Sequence, residues 1–133
     1  MKASLGTILT AMVTPFAADG AVDHERLSTL AEHLLANGSD GLVVAGTTGE
    51  SPTLTDAEKL AMFRTVVETV AGRATVVAGT GSNDTAHSVA LTRAASACGV
   101  DGVLAVVPYY NKPPDRRVRA HYQAGAAATD LPA

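Results

Sequence analysis

Residues 41–51, GLVVAGTTGES, decide how this sequence is expected to fold. The stretch opens with GLVVA, which carries no polar side chain and includes two β-branched valines. A short run that is apolar at every position is typical of a parallel strand, because such a strand is buried on both faces of its sheet. Glycines and hydroxyl residues follow directly, which predicts that the strand ends in a polar turn.

The same pattern occurs four times along the 133-residue chain. The apolar runs span residues 7–13, 41–45, 74–78 and 102–107, and their starts are about 30 residues apart, the length of a strand–helix unit. Alternating strands and helices predict a parallel sheet with right-handed crossovers, either doubly wound or part of a (β/α)8 barrel. A complete barrel needs about 250 residues. We therefore expect four βα units, or half a barrel, ending before a fifth strand.

The segments between the apolar runs carry helix start signals. Asp23 is expected to cap the first helix, and Asn83 or Asp84 the third. Thr55 and Glu58 form a capping box that opens the second, and the fourth is expected to begin at 114–115. The predicted apolar faces are Leu27, Leu30, Ala31 and Leu34; Leu60, Phe63, Val67 and Val70; Ala86, Val89, Ala90, Ala94 and Ala97; and Val118, Tyr122 and Ala126.

The composition indicates a folded protein and argues against several classes. A hydrophobic fraction of 47% is enough for a core, and a net charge of −3 lacks the basic surface of a nucleic-acid binder. Cys98 has no partner for an internal disulfide and is expected to pack as a small hydrophobe, and the histidines have no metal-ligand spacing. No apolar run approaches the roughly 18 residues of a membrane span. We expect a cytoplasmic protein with no nucleic-acid partner, no metal and no membrane segment.

Three of the predicted strand ends are rich in glycine and hydroxyl side chains. In parallel α/β folds, ligands bind beyond the carboxyl ends of the strands. Gly46 and Gly49 allow the backbone to approach a ligand, whose carboxylate would be held by N–H groups and threonine hydroxyls. The alternative is an ordinary loop whose Ser and Thr residues cap the next helix. Residues 79–81 lack the third glycine of a dinucleotide loop, which argues against nucleotide binding.

Tyr109 and Tyr110 lie between two prolines, Pro108 and Pro113, that restrict the backbone. A tyrosine hydroxyl can relay protons when it is hydrogen-bonded to a second hydroxyl, such as that of Thr47. The alternative is that both rings pack in a core or an interface. The residues alone leave both interpretations open.

Four short motifs, in this order, resemble those of one enzyme family. They are Thr14-Pro15-Phe16, GTTGES at 46–51, AGTGSN at 78–83 and PYYNKP at 108–113. They are similar to the dihydrodipicolinate synthase family of pyruvate-dependent class I aldolases. The resemblance implies a (β/α)8 barrel, of which residues 1–133 would be the N-terminal part of a single domain, and a homo-oligomer built as a dimer of dimers. It also implies the condensation of pyruvate with aspartate semialdehyde in lysine biosynthesis, through a lysine Schiff base and without a cofactor.

The resemblance assigns roles in this reaction to three residues. Thr47 and Tyr110 would be catalytic members of a proton-relay triad, and Tyr110 would reach across a tight dimer interface to complete the neighbour's triad. Thr48 would bind the pyruvate carboxylate. These roles suit imine and enamine chemistry, which moves protons repeatedly between substrate and solvent.

Further positions match the place where lysine-inhibited members of the family bind lysine, at the tight-dimer interface. Three of the matching residues are present: Ser51, Asn83 and Tyr109. Where those members carry two histidines and a glutamate, this sequence has Asp56, Lys59 and His87. Because a cation at Lys59 disfavours an effector that carries an ammonium group, we expect weak or absent inhibition by lysine.

The Schiff-base lysine of the family lies on a later strand, as does the third triad residue. This sequence has Lys2 before the first strand, Lys59 expected on the solvent-facing side of the second helix, and Lys112 beside the tyrosines. None is expected in an apolar pocket, where a lowered pKa makes lysine nucleophilic, so we expect that this chain alone does not complete the reaction. The alternatives are a related pyruvate-dependent lyase acting on a sugar acid, and a non-catalytic half-barrel that self-associates.

Overall fold

Strands and helices alternate in the computed structural model, which describes residues 4–133. The strands are β1 (Leu9–Ala11), β2 (Gly41–Val44), β3 (Thr75–Gly79) and β4 (Gly102–Leu104). The helices are α1 (His24–Ala36), α2 (Asp56–Val70), α3 (Thr85–Ser96) and α4 (Asp115–Ala126), and a 3₁₀ turn at Ser51–Thr53 precedes α2. The four predicted βα units are therefore confirmed. Lys2 lies outside the described residues.

The strands form one parallel sheet in the order β1-β2-β3-β4. In its register, Val43 of β2 lies opposite Ala11 of β1 and Val77 of β3. The central strands match their predicted bounds to within a residue, whereas β1 and β4 are shorter than the apolar runs that predict them. Within the described chain, each of these outer strands pairs on one side only, so less of its backbone is held in a ladder. All four carboxyl ends lie at the same edge of the sheet.

The predicted helix caps are present and fix where each helix begins. The Asp23 carboxylate accepts a hydrogen bond from the backbone of the first turn of α1. Thr55 and Glu58 form the capping box of α2, in which the Glu58 carboxylate accepts from the backbone N–H of Thr55 at 2.7 Å. Asp84, rather than its neighbour, caps α3. The caps therefore place the first residues of α2 and α3 shortly after the polar loops that follow β2 and β3.

The core lies between the sheet and the helices that cover it. Its largest fully buried side chains are Leu27, Leu42, Val44, Met62, Phe63, Val66 and Val70. The α1 face is as predicted, since Leu27 and Ala31 are fully buried and Leu34 packs against the core. Cys98 is partly buried against the same core. Among residues 4–133, no helix combines the length and apolar character needed to cross a membrane.

The predicted apolar face of α3 is wrong. Its buried residues are Ser88, Leu91, Thr92 and Ala95, whereas the predicted alanine stripe is partly or fully exposed. Two of the buried side chains carry hydroxyl groups, and their partners lie in the loop after β3. Thr92, for example, donates a hydrogen bond of 2.8 Å to the hydroxyl of Thr80. Burial on this helix follows polar pairing, which hydrophobic periodicity does not detect.

The predicted face of α4 is also wrong. Val118 is half-buried, and both Tyr122 and Ala126 are exposed. The buried residue is His121, whose Nδ1 atom lies 2.8 Å from the hydroxyl of Thr85 at the start of α3. A polar contact between the two helices therefore selects the side of α4 that faces α3.

Candidate functional site

The loops after β2, β3 and β4 touch one another through their main chains. A Cβ atom on Gly79 would collide with the carbonyl oxygen of Ala45, and one on Gly81 with the backbone nitrogen of Val106. Glycine is therefore required at both positions. Because Gly79 and Gly81 have no side chains, the main chains of the three strand-end loops can lie in direct contact.

The turn at residues 46–51 is held by a hydrogen bond from Thr14. The buried hydroxyl of Thr14 donates a hydrogen bond of 2.6 Å to the carbonyl oxygen of Gly49. Within the turn, the N–H of Gly49 donates to the carbonyl of Gly46 at 3.0 Å. These hydrogen bonds hold the turn in place. The side chains of Thr47 and Thr48 are exposed on it. Sequence reasoning did not give Thr14 this role, although a hydroxyl residue directly after an apolar run was the available signal.

A cavity of about 420 Å³ opens between these loops and the first turns of α2 and α3. Four of the six predicted site residues line it: Thr47, Ser51, Asn83 and Tyr109. The other two, Thr48 and Tyr110, are exposed on the adjoining loops. Thr47, which is matched to the proton relay, and the three residues matched to the lysine site therefore border one continuous space.

The two tyrosines of the loop after β4 have different surroundings. Tyr109 lines the cavity and is 42% exposed, whereas Tyr110 is 94% exposed and has a backbone φ of +69°. Packing in the core is therefore excluded for Tyr110. Within residues 4–133, the hydroxyl groups of Thr47 and Tyr110 are not hydrogen-bonded to each other.

The loop after β3 is held by hydroxyl groups of α3 and by the neighbouring loop. The backbone N–H of Ser82 donates to the Ser88 hydroxyl at 2.9 Å. The side-chain amide of Asn111 donates to the carbonyl of Asn83 at 3.3 Å, which joins the loops after β3 and β4. The Asn83 side chain is left facing the cavity.

Lys59 is buried, and the expectation that it faces solvent is wrong. Its side chain is 5% exposed and lines the cavity. The buried face of α2 differs from the predicted one, because Leu60 and Val67 are only partly buried. The buried residues of this helix are Lys59, Met62, Phe63, Val66 and Val70. Burial lowers the pKa of the Lys59 ammonium, and the negative charge of Asp56 opposes part of that shift.

The acidic neighbour of Lys59 has another partner. Nε2 of His87 lies 2.8 and 2.9 Å from the two carboxylate oxygens of Asp56. Two further histidine rings, those of His24 and His121, contact hydroxyl groups. Among the described residues, no group of three or more His, Cys, Asp or Glu side chains is arranged to hold a metal ion.

A parallel βα fold with a polar cleft at the carboxyl ends of its strands is typical of (β/α) enzymes that act on small molecules. The chain belongs to the dihydrodipicolinate synthetase family, whose sequence model matches residues 4–133. This membership confirms the resemblance of the four motifs.

Similar proteins support the same assignment. The chain is 57% identical over 129 residues to the 4-hydroxy-tetrahydrodipicolinate synthase of Symbiobacterium thermophilum, covering 97% of this chain and 44% of that relative. It superposes on dihydrodipicolinate synthase from Bacillus anthracis with a TM-score of 0.95 and 50% identity, over 97% of this chain and 44% of that one. It also superposes on the chloride-inhibited dihydrodipicolinate synthase from Acinetobacter baumannii complexed with pyruvate, with a TM-score of 0.94, 38% identity and the same coverage.

These likenesses decide between the two predicted architectures. The four βα units correspond to part of a (β/α)8 barrel, and the doubly wound alternative is excluded. The chain spans about 44% of the length of the curated relatives that it matches.

Proposed function

We propose that this chain supplies the pyruvate-binding part of a 4-hydroxy-tetrahydrodipicolinate synthase, which condenses pyruvate with aspartate semialdehyde in lysine biosynthesis. The observation that carries the proposal is the turn at residues 46–51, held by the Thr14 hydroxyl and presenting two free threonine side chains at the carboxyl edge of the sheet. A rigid turn of this kind offers N–H and O–H donors to a small carboxylate without reorganising. The similar protein from Acinetobacter baumannii, complexed with pyruvate, supports the choice of ligand.

The proposed reaction needs a carboxylate anchor and a route for protons. An enzyme amine adds to the ketone carbon of pyruvate, and water leaves as the imine forms. Loss of a methyl proton gives an enamine, whose carbon attacks the aldehyde carbon of aspartate semialdehyde, while the aldehyde oxygen takes up a proton. In this scheme Thr48 binds the carboxylate, and Thr47 belongs to the relay that accepts the methyl proton and supplies the proton taken up by the aldehyde oxygen.

Tyr110 is proposed to act in a neighbouring subunit. It is 94% exposed, and its backbone φ of +69° lies in the left-handed region, which costs backbone energy for a residue with a side chain. An exposed aromatic side chain held in this way suits an interface between two copies of the chain. A homo-oligomer in which each copy completes the other's relay explains why Thr47 and Tyr110 do not meet within one copy.

The attacking amine is proposed to come from a barrel strand other than β1–β4. Lys112 is exposed beside the tyrosines, and Lys59 lies among the first turns of α2 and α3 rather than on a strand. Borohydride reduction in the presence of pyruvate tests this point, because it converts an imine into a stable adduct. We expect no gain in mass for the 133-residue chain. A pyruvate adduct on Lys59 or Lys112, located by peptide mapping, would contradict this assignment.

A chimera tests the function itself. The chain replaces the matching 44% of dihydrodipicolinate synthase from Bacillus anthracis, on which it superposes with a TM-score of 0.95. We expect turnover of pyruvate with aspartate semialdehyde. Thr48→Val in the chimera should raise KM for pyruvate about tenfold or more, because a hydrogen bond to a charged group is lost. Thr47→Val should mainly lower kcat, by roughly 10²-fold or more, because a proton-transfer group is lost.

The serine variants serve as matched controls. Thr47→Ser and Thr48→Ser keep the hydroxyl groups and should retain most of the activity. A folded chimera that turns over keto-deoxygluconate but not aspartate semialdehyde would assign the chain to the sugar-acid lyases instead. A folded chimera in which both valine variants behave like the parent would refute the roles given to the two threonines.

A further inference from the structure

The loop after β4 holds Tyr110 in a strained turn. The backbone N–H of Asn111 donates a hydrogen bond of 2.9 Å to the carbonyl oxygen of Tyr109, which closes a γ-turn around Tyr110. The central φ of this turn is +69°, and γ-turns with a positive central φ are rare and strained. Lys112 also has a positive φ, of +44°, although the following Pro113 favours an extended conformation there. Two residues with side chains are therefore held in the left-handed region, on either side of Asn111.

A strained turn persists only where its surroundings restrain it. Burial gives little restraint here, because Tyr110 is 94% exposed and both Asn111 and Lys112 are exposed as well. Within the described chain, the side chain of Asn111 is the one among residues 110–112 that is hydrogen-bonded to a neighbouring loop. Its amide donates at 3.3 Å to the carbonyl oxygen of Asn83, in the loop after β3. This hydrogen bond is the restraint that the exposed turn requires.

The acceptor of this hydrogen bond is held in place by α3. Ser82, the residue before Asn83, donates its backbone N–H to the Ser88 hydroxyl of α3 at 2.9 Å. The hydroxyl of Ser82 accepts from the backbone N–H of Asp84 at 3.1 Å, and Asp84 caps the same helix. The Asn83 carbonyl is therefore fixed to the start of α3, and the side chain of Asn111 connects the exposed loop to that fixed point.

We infer that Asn111 is a positioning residue for Tyr110. Its side chain ties the loop after β4 to the loop after β3 and so keeps Tyr110 in the strained turn. The inference rests on the proposed function, in which the Tyr110 hydroxyl serves the relay of a neighbouring subunit. Asn111 acts through the backbone of the tyrosine and takes no part in proton transfer itself. An amide suits this role because its NH₂ group donates to a carbonyl, which an ionised carboxylate cannot do.

The chimera with the Bacillus anthracis enzyme tests this role by a double-variant cycle. Asn111→Ala should lower kcat about three- to tenfold and leave KM for pyruvate within about twofold, because it loosens the turn but removes no group that binds pyruvate. In a chimera that already carries Tyr110→Phe, the same change should lower kcat no further, since the hydroxyl that it positions is gone. Asn111→Asp keeps the shape without the donor and should behave like Asn111→Ala.

Limited proteolysis of the 133-residue chain examines the loop independently of catalysis. Chymotrypsin cleaves after tyrosine when the surrounding backbone can open, so Asn111→Ala should speed cleavage after Tyr110, located by mass spectrometry, about three- to tenfold. Asn37→Ala is the matched control. It removes an exposed amide that donates to a carbonyl, that of His33 at 2.8 Å, at the end of α1, and it should change neither kcat nor this cleavage rate.

An unchanged rate of cleavage after Tyr110 in Asn111→Ala would overturn the inference. Losses of kcat that simply add in the double variant would also overturn it, because Asn111 would then act independently of Tyr110. If Tyr110→Phe alone leaves kcat unchanged, the relay role in the proposed function fails, and the cleavage rates decide by themselves whether Asn111 holds the loop.

Discussion

Replacement of Lys59 by methionine should stabilise the protein. Methionine has nearly the same length and keeps an apolar stem on the buried face of α2, which also carries Met62 and Phe63. It removes an ammonium that has no partner in the described chain and whose pKa is lowered by burial. In most proteins, loss of a buried lysine destabilises the fold because a salt bridge breaks. Within residues 4–133, Lys59 has no salt bridge that the substitution could break.

The size of the effect follows from where the ammonium lies. Substitution of buried ionic groups by apolar residues of similar volume is often neutral or stabilising by about 1–4 kcal/mol. The side chain is 5% exposed, but its end borders an open cavity and feels the negative charge of Asp56. Both features reduce the desolvation penalty, so we expect the low end, about 1–2 kcal/mol. For a domain of this size, that corresponds to a rise in Tm of roughly 4–7 °C.

The stability gained by Lys59→Met should depend on pH, and the lowered pKa of Lys59 determines the direction of that dependence. The folded-state pKa of Lys59 is lower than its ordinary value of 10.5. Below the folded-state pKa, the lysine is charged in both states and the penalty is fully present. As the pH rises from there towards 10.5, the unfolded state binds more protons than the folded state, so the parent protein gains stability. The difference between the parent and Lys59→Met should therefore be largest at neutral pH and shrink under alkaline conditions.

Urea denaturation followed by circular dichroism, at pH 7 and at pH 9.5, measures this difference. Lys112→Met controls for the change in net charge, because its side chain is exposed and should alter the free energy of unfolding by less than about 0.5 kcal/mol. A Lys59→Met variant that is less stable than the parent at pH 7 would show that the ammonium is stabilised by a partner, and would refute this reasoning.

Three further substitutions test the contacts that hold the strand-end loops. Thr92→Val removes the donor to the buried Thr80 hydroxyl and should lower the free energy of unfolding, measured with urea, by about 1–3 kcal/mol. The double variant with Thr80→Val should recover part of this loss. A double variant in which the two losses simply add would contradict the pairing. Gly79→Ala forces a Cβ against the Ala45 carbonyl and should lower Tm markedly, so an unchanged Tm would refute the close approach. Thr55→Ala removes the cap of α2 and should cost about 1 kcal/mol, whereas Thr55→Ser should restore it.

Elements whose signals are local could be predicted from the sequence. An apolar run such as residues 41–45 specifies a strand that is buried on both faces, whatever lies around it. A capping box such as Thr55 with Glu58 satisfies its own helix end and needs no distant partner. The parallel sheet then places the glycine- and hydroxyl-rich segments at one edge, which is why the sequence predicts that these segments lie close together.

Features that depend on distant partners could not be predicted in this way. Thr92 is buried because Thr80 receives its hydrogen bond, and a hydrophobic pattern counts both residues as polar. Lys59 is buried because it lies on the face of α2 that packs against the sheet and the neighbouring helices, and this face differs in part from the most apolar one. The tie from Thr14 to Gly49 joins residues 35 positions apart, so no local window contains it.

The main-chain contacts at Gly79 and Gly81 determine how this surface can change over evolution or in a designed library. Since the three loops meet through their main chains, a substitution at the exposed Thr47 or Thr48 alters the chemistry of the rim without moving its framework. Diversity can accumulate at the hydroxyl positions while the distances between loops stay constant. New specificities should therefore be reachable by exchanging functional groups alone, provided that the two glycines are left untouched.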